Sequence, residues 1–220
     1  MSDSPVGICR GALHRIGDTS TISSIENPST VEEKLCAEEY DDVRRELLRS
    51  HVWNFAKKRV KISAETTDPI FGYGNAYKLP ADYLRVVQIG SWVTDVLYTD
   101  YTIEGNLLLL NYSPDDSASS TDPAILNFVY IFDQTDVSQW DSIFKQMAKL
   151  RLAEKLFPLH KKNTLMASIQ EEVTIKMPKA RSVDGQDKPP ARIERSRILE
   201  SRGQSFRGSN KYQGFYFGGP

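Results

Sequence analysis

Apolar positions recur at helical spacing near both ends of the chain and at strand spacing between them. Ile8, Ala12, Leu13 and Ile16 fall on one face of residues 5–16, and Gly17 stands where a helix would stop. A loop with the apolar pair Ile22 and Ile25 follows. Pro28 then precedes Ser29-Thr30-Val31-Glu32, a hydroxyl residue with Glu three positions on, which reads as a capping box. The long helix it opens runs to about His51, with an apolar stripe of Val31, Leu35, Tyr40, Val43, Leu47 and Val52. Acidic residues (Glu32, Glu33, Glu38, Glu39, Asp41, Asp42) lead it and basic ones (Arg44, Arg45, Arg49) close it, the order that suits the helix dipole.

The period changes at Trp53. Val60 and Ile62, Tyr77 and Leu79, and Leu84, Val86 and Val87 read as short strands. Glu104-Gly105-Asn106 is a turn inside Tyr101–Tyr112, with a strand on each side, and Ala124–Phe132 is a further strand. Gly72, Gly74, Pro114 and the polar 115–122 stretch supply turn chemistry. Helical spacing returns at Asp136 with Val137, Trp140, Ile143, Phe144, Met147, Leu150 and Leu156, ending near Pro158. Leu165, Met166, Ile169, Val173 and Met177 predict a last helix from Asn163, stopped by Pro178. Residues 179–190 read as a linker, 192–202 as a short basic helix, and 203–220 as a segment unfolded in isolation.

The expected fold class is therefore α+β. A helical-bundle domain (1–56 and 134–202) carries an inserted small antiparallel β domain (57–133), and an extended C-terminal tail follows (203–220). A chain of 220 residues is long enough to bury a sizeable core. No 18-residue run lacks charge, so no membrane span is expected, and residues 1–25 lack the apolar stretch of a secretory leader. Two cysteines, Cys9 and Cys36, do not make a disulfide scaffold, and reduced thiols suit a cytoplasm.

Net charge is −1, but it is unevenly spread. Residues 188–220 hold Lys188, Arg192, Arg195, Arg197, Arg202, Arg207 and Lys211 against Glu194 and Glu200, a net +5, which leaves the other 187 residues at −6.

Catalytic chemistry finds little support. The chain has no HExxH, Cys-x-x-Cys, G-x-S-x-G, P-loop or G-x-G-x-x-G pattern. Cys9, His14 and Cys36 could be imagined as metal ligands, but two small core residues and a surface imidazole is the simpler reading. Nothing supplies either cysteine with an activating partner. Phe71-Gly72-Tyr73-Gly74 reads as a strand-connecting loop. Glu38 and Asp42, at i and i+4, read as a solvated helix face; a glycosidase pair needs carboxylates on converging elements. The expectation is a protein without catalytic, cofactor-binding or metal-binding residues, and not an enzyme. Trp53 and Phe55 read as the hydrophobic joint between the helical and β parts.

The tail is the most telling feature. Phe206, Tyr212, Phe215, Tyr216 and Phe217 interleave with Arg207 and Lys211. Such a segment can stack on nucleic-acid bases, or fold onto an acidic protein surface with its aromatics as anchors. An idle terminus is the blander alternative, and five aromatics in it argue against that. Protein docking is favoured because the positive charges are too few for a DNA-packaging arm.

The run Ile8-Cys9-Arg10-Gly11-Ala12-Leu13-His14-Arg15-Ile16-Gly17, then Ile22 and Ile25, the acidic-to-basic helix, Trp53-Asn54-Phe55-Ala56 and Tyr77-Lys78-Leu79-Pro80-Ala81-Asp82-Tyr83-Leu84 resembles, in order and spacing, the tail tubular protein A family. These are the head-to-tail adaptors of short-tailed bacteriophages (podoviruses). The resemblance covers roughly residues 5–160. It implies a structural virion protein of the viral tail, assembled in the bacterial host cytoplasm and placed at the head–tail junction. It implies a homo-oligomeric ring, a dodecamer in the family, between the portal protein and the tubular nozzle protein. The ring gives a platform for nozzle and tail fibres and extends the channel through which DNA passes during ejection without specific binding; no membrane is involved. The helical part would face the portal. The tail matches nothing in that family, so portal docking by Phe206, Arg207, Tyr212, Phe215, Tyr216 and Phe217 is inferred from residue types. The alternative function is nucleic-acid binding through the same basic, aromatic tail.

Overall fold

The computed structural model describes residues 4–91, 96–97, 100–111, 125–157 and 163–187. The protein is α+β. In chain order it has α1 (Pro5–Arg15), α2 (Val31–Ser50), β1 (Lys57–Ser63), β2 (Asn75–Lys78), β3 (Tyr83–Ser91), β4 (Val96–Leu97), β5 (Tyr101–Glu104), β6 (Leu107–Leu110), β7 (Ile125–Phe132), α3 (Ser142–Leu156) and α4 (Asn163–Gln186). Met1–Asp187 forms one compact unit; the second unit, Lys188–Pro220, lies outside the described residues, and with it the expected helix at 192–202 and the tail.

Each helix is defined by its ends. α1 begins at Ser4, whose hydroxyl accepts from the Gly7 amide, with Pro5 at the first helical position. It closes as a Schellman motif: the Gly17 amide donates to the His14 carbonyl and the Asp18 amide to Leu13, with Gly17 at φ +79°. Gly11 lies against the Lys149 stem, where a Cβ would meet Lys149 Cδ at 2.7 Å, so α1 and α3 approach closely there.

The capping box of α2 lies one residue later than the sequence reading placed it. Thr30, not Ser29, is the N-cap and Glu33, not Glu32, is its partner. The reason is the burial of Glu33, which faces the loop before the helix. Its Oε1 accepts from the Ser23 amide and hydroxyl at 2.8 Å, and its Oε2 accepts from the Ser29 amide at 2.8 Å and hydroxyl at 2.9 Å. Donation from the Ser23 and Ser29 amides, then from their hydroxyls, holds this carboxyl far below the usual glutamate range. The slip also leaves Val31, read as part of the stripe, 61% exposed.

Two α3–α4 expectations are corrected. The 136–156 stripe is not one helix: Asp136 caps a 3-10 turn over Val137–Gln139 by accepting from the Ser138 amide, and Asp141 starts α3 afresh by accepting from the Ser142 amide. Pro178 does not stop α4, which continues to Gln186, so 179–186 is helix and not linker. The missing proline N–H and its clash cost about 3 kcal/mol. Burial of Val173, Met177 and Ala180 offsets this, together with Asp184, which is fixed from outside the helix. Its Oδ1 accepts from the Asn54 amide at 2.8 Å and its Oδ2 lies 3.1 Å from His51 Nε2.

The strands make a four-stranded antiparallel sheet, β1-β7-β3-β4, and a three-stranded one, β2-β6-β5. The Ala64–Tyr77 bridge and the Glu65 amide donating to the Ala76 carbonyl link them. Gly105 at φ +60° makes the β5–β6 turn at the expected place. Alternation sorts the side chains. Leu126, Phe128 and Tyr130 of β7 enter a core between the sheets, with Tyr77, Leu108 and Leu110. Ile131, on the other face of β7, enters the helical core with Leu13, Leu47, Phe144 and Leu152.

The helical and β parts are joined by charge. Arg44 of α2 is 5% exposed. Its Nε donates to Asp133 Oδ1 at 2.7 Å and its Nη2 to Asp133 Oδ2 at 2.9 Å, a bidentate fork onto the residue that follows β7. Nη1 pairs with Asp41, the guanidinium lies 5.8 Å from the Tyr40 ring centroid, and Arg45 Nε adds a third bond to Asp133 at 3.1 Å. The Asp133 amide donates in turn to the Asp82 carbonyl at 2.8 Å, and the Asp82 carboxylate takes the Tyr130 hydroxyl at 2.7 Å and Lys58 Nζ at 2.8 Å. Burial pushes the Asp133 and Asp82 carboxyls up, but these donors outweigh it and hold both below the usual aspartate range.

Arg44→Met is expected to destabilise the fold by about 3 kcal/mol in urea unfolding, because it leaves Asp133 with Arg45 as its remaining cation. Arg44→Met with Asp133→Leu should recover most of that loss; a double variant as weak as the single would contradict the pairing. A pH series checks Glu33. Its carboxyl is depressed in the fold, so the stability it adds is full above the unfolded value of about 4.3 and drains as pH falls through the folded value. Glu33→Gln should lower Tm at pH 7, and its gap from the wild type should narrow steadily below about pH 4.

Candidate functional site

Among the described residues the chemistry-bearing side chains are spread through the fold and do not converge. Cys9 and Cys36 are buried in the helical core, and the Cys9 thiol is pushed up by its hydrogen bond to Cys36 and by burial, away from the nucleophilic form. Among the described residues no three His, Cys, Asp or Glu side chains are grouped to hold a metal ion. Among the same residues no helix is long and apolar enough to cross a membrane. His14 is exposed, His51 faces Asp184, and His160 lies outside the described residues. Glu38 and Asp42 are exposed neighbours on α2.

Trp53 and Phe55 lie where α2 hands over to β1. Trp53 is fully buried and its Nε1 donates to the Leu47 carbonyl at 2.9 Å. Its ring meets Phe144 edge-on at 5.0 Å and His51 at 4.9 Å, and Phe55 packs on the same Phe144 at 5.0 Å. The portal-docking candidates Phe206, Arg207, Tyr212, Phe215, Tyr216 and Phe217 lie outside the described residues.

What the fold does present is an apolar projection that sequence reading passed over. In the loop between β1 and β2, Ile70 is 99% exposed and Phe71 87% exposed. The loop is tethered just after its apex: Tyr73 Oη lies 2.6 Å from Thr102 Oγ1 of β5, and the Gly74 amide donates to Asn111 Oδ1 at 2.8 Å. Gly72, at φ +89°, makes the bend between apex and tether. Beneath the loop lies a cavity of about 460 Å³ with a floor of Ala76, Leu107 and Leu109 and acidic Glu65, Asp68 and Glu104 at its rim. This explains why β6 is leucine at all four positions: Leu108 and Leu110 serve the core between the sheets, while Leu107 and Leu109 line the cavity. The clue in the sequence was a Pro-Ile-Phe-Gly run between strands, where turn chemistry alone needs no large apolar side chains.

The arrangement is one of joints and surfaces: buried charge at the joints, and an exposed apolar apex over an acid-rimmed hollow. Such features suit contact with other macromolecules. No protein-family model matches the chain, and no curated protein matches it.

Ile70→Ser with Phe71→Ser should leave thermal stability unchanged to within about 0.5 kcal/mol, since neither side chain is buried. A loss well beyond that in a calorimetric melt would make the apex part of the fold and not a contact surface.

Proposed function

We propose that the chain is a structural head-to-tail adaptor subunit similar to the tail tubular protein A family, acting by binding and not by catalysis. In this reading copies form a ring, a dodecamer by analogy with that family, between the portal and the nozzle of a short-tailed phage. The ring lengthens the DNA channel and offers a platform for nozzle and tail fibres. The observation that carries the reading is the ordered run of motifs from Ile8 to Leu84.

The structure gives those motif residues physical work that suits a ring subunit. Ile8, Ala12, Leu13 and Ile16 are the buried face of α1, and Gly17 closes that helix. Trp53 seats the chain as it leaves α2. Asp82 ties β1, β7 and the Asp133 joint together. A subunit loaded between two larger assemblies needs its helical and β parts held at one angle, and these contacts hold it. The acidic excess of residues 1–187 supports the reading from another side, because like charge keeps DNA from adhering to a channel wall.

Within this reading the basic, aromatic tail binds the portal, through Phe206, Arg207, Tyr212, Phe215, Tyr216 and Phe217. Truncation after Arg202 should abolish binding to the portal encoded in the same genome while the circular dichroism melt of the remainder is unchanged. Retained portal binding would remove the tail from that role. Conversely, a chain that binds DNA with an affinity falling steeply in salt, and loses it on the same truncation, would favour the nucleic-acid reading.

A further inference from the structure

The face of the four-stranded sheet opposite the core between the sheets buries Ile131 in the helical core, and beside that contact it carries a basic row. Along β1, Val60 and Ile62 turn inward to the core between the sheets, so Arg59 and Lys61 point the other way. Both are exposed, and neither has an ion-pair partner among the described residues. Their cross-strand neighbours on β7 are Val129 and Asn127, and on β3 exposed Arg85 pairs with Ile131 on the same face. No acidic residue stands at these face positions. The exposed Arg49 of α2 adjoins them, its carbonyl accepting from Arg85 Nη1 at 3.2 Å.

A row of opposite sign runs along α2 and ends one turn before Arg49. Glu38, Asp42 and Glu46 follow each other at i, i+4 and i+8 on the exposed side of α2, again without an ion-pair partner among the described residues. Their repeat along the helix is about 6 Å. Alternate residues on a strand repeat at about 6.7 Å. The two rows therefore match in sign and nearly in pitch.

We infer that the Arg59–Lys61 face of one copy docks on the Glu38–Asp42–Glu46 row of a second copy of this chain. A contact made once between the two patches leaves one patch free on each copy, so it propagates head-to-tail to a closed ring or an open filament, unless the pair closes on itself as a two-fold dimer. Closure to a ring rests on the adaptor reading above; the pairwise contact does not. A nucleic acid is the poorer occupant: four basic side chains on a body of net −6 give weak, shallowly salt-dependent binding, whereas the acidic row supplies a partner already matched in spacing. Because exposed ion pairs are individually weak, the free chain associates only loosely, and a template that gathers copies would complete the assembly.

The test is sedimentation velocity of the full chain across a concentration series at low and high salt, with charge reversals. The wild type should self-associate at about 20 mM salt and dissociate at about 0.5 M, where screening is strong. Arg59→Glu with Lys61→Glu should stay monomeric, and so should Asp42→Lys with Glu46→Lys, each with an unchanged circular dichroism spectrum. Mixed one to one, the two variants should associate again, because each then offers what the other lacks. A wild type that is monomeric throughout, single variants that associate as it does, or a mixture that stays monomeric while both variants are folded would each overturn the inference. Portal pull-down separates the two proposals. Salt-sensitive self-association without portal binding would leave this contact standing and remove the adaptor role; portal-bound rings formed equally well by both variants would do the reverse.

Discussion

The fold depends on meeting one buried positive charge. Arg44 projects from α2 into the space between the helical layer and the end of β7, where an unpaired guanidinium would be costly. Asp133 meets it with both oxygens. That bidentate geometry fixes position and direction together, so the long helix cannot rotate or slide against the sheet without breaking two bonds at once. Everything that β7 organises follows from this anchor. β7 is the central partner of both β1 and β3, and its two faces feed the two cores. Asp82 extends the same chain of contacts to Tyr130 and Lys58, so the helix, the central strand and an edge strand are positioned by one connected set of carboxylates and cations.

The other joints work by the same logic at smaller scale. Glu33 gathers the loop ahead of α2 by accepting from Ser23, Ser29 and Thr30. Asp184 fastens the far end of α4 to the Asn54 backbone beside Trp53. In each case a short acidic side chain satisfies backbone or side-chain donors that the change of direction leaves open. The outcome is a compact unit whose helical and β parts are tied together, with rows of exposed charge on α2 and β1 and an apolar apex at Ile70 and Phe71. That division, rigid inside and patterned outside, is what the adaptor reading asks of a subunit.

Much of this was legible in the chain because it rests on period and turn chemistry. The face of α1, the Gly17 stop, the Gly105 turn and the strands within 57–132 other than the two-residue β4 follow from local residue order. The failures share a different cause. Ser29 and Thr30 both offer a hydroxyl with Glu three residues on, and only the burial of Glu33 against Ser23, ten residues away, decides between them. Pro178 carries a strong local signal to end a helix, and it is overruled by Asp184 contacts 130 residues distant. The partner of Arg44 lies 89 residues along the chain, so no periodicity could name it. The acidic helix face at Glu38 and Asp42 was visible, but its match to Arg59 and Lys61 required knowing which face of β1 is turned outward. The projection of Ile70 and Phe71 is not legible in the sequence, because the glycines beside them specify a turn and not the direction in which its apolar side chains point.

The adaptor reading is tested most directly by the native mass of the purified chain at physiological salt, alone and after mixing with the portal from the same genome. The account predicts a species near the 24.9 kDa monomer alone, and a multi-copy ring carried on the portal after mixing. A chain that stays monomeric beside the portal, or that shifts in mass only when DNA is added, would contradict it.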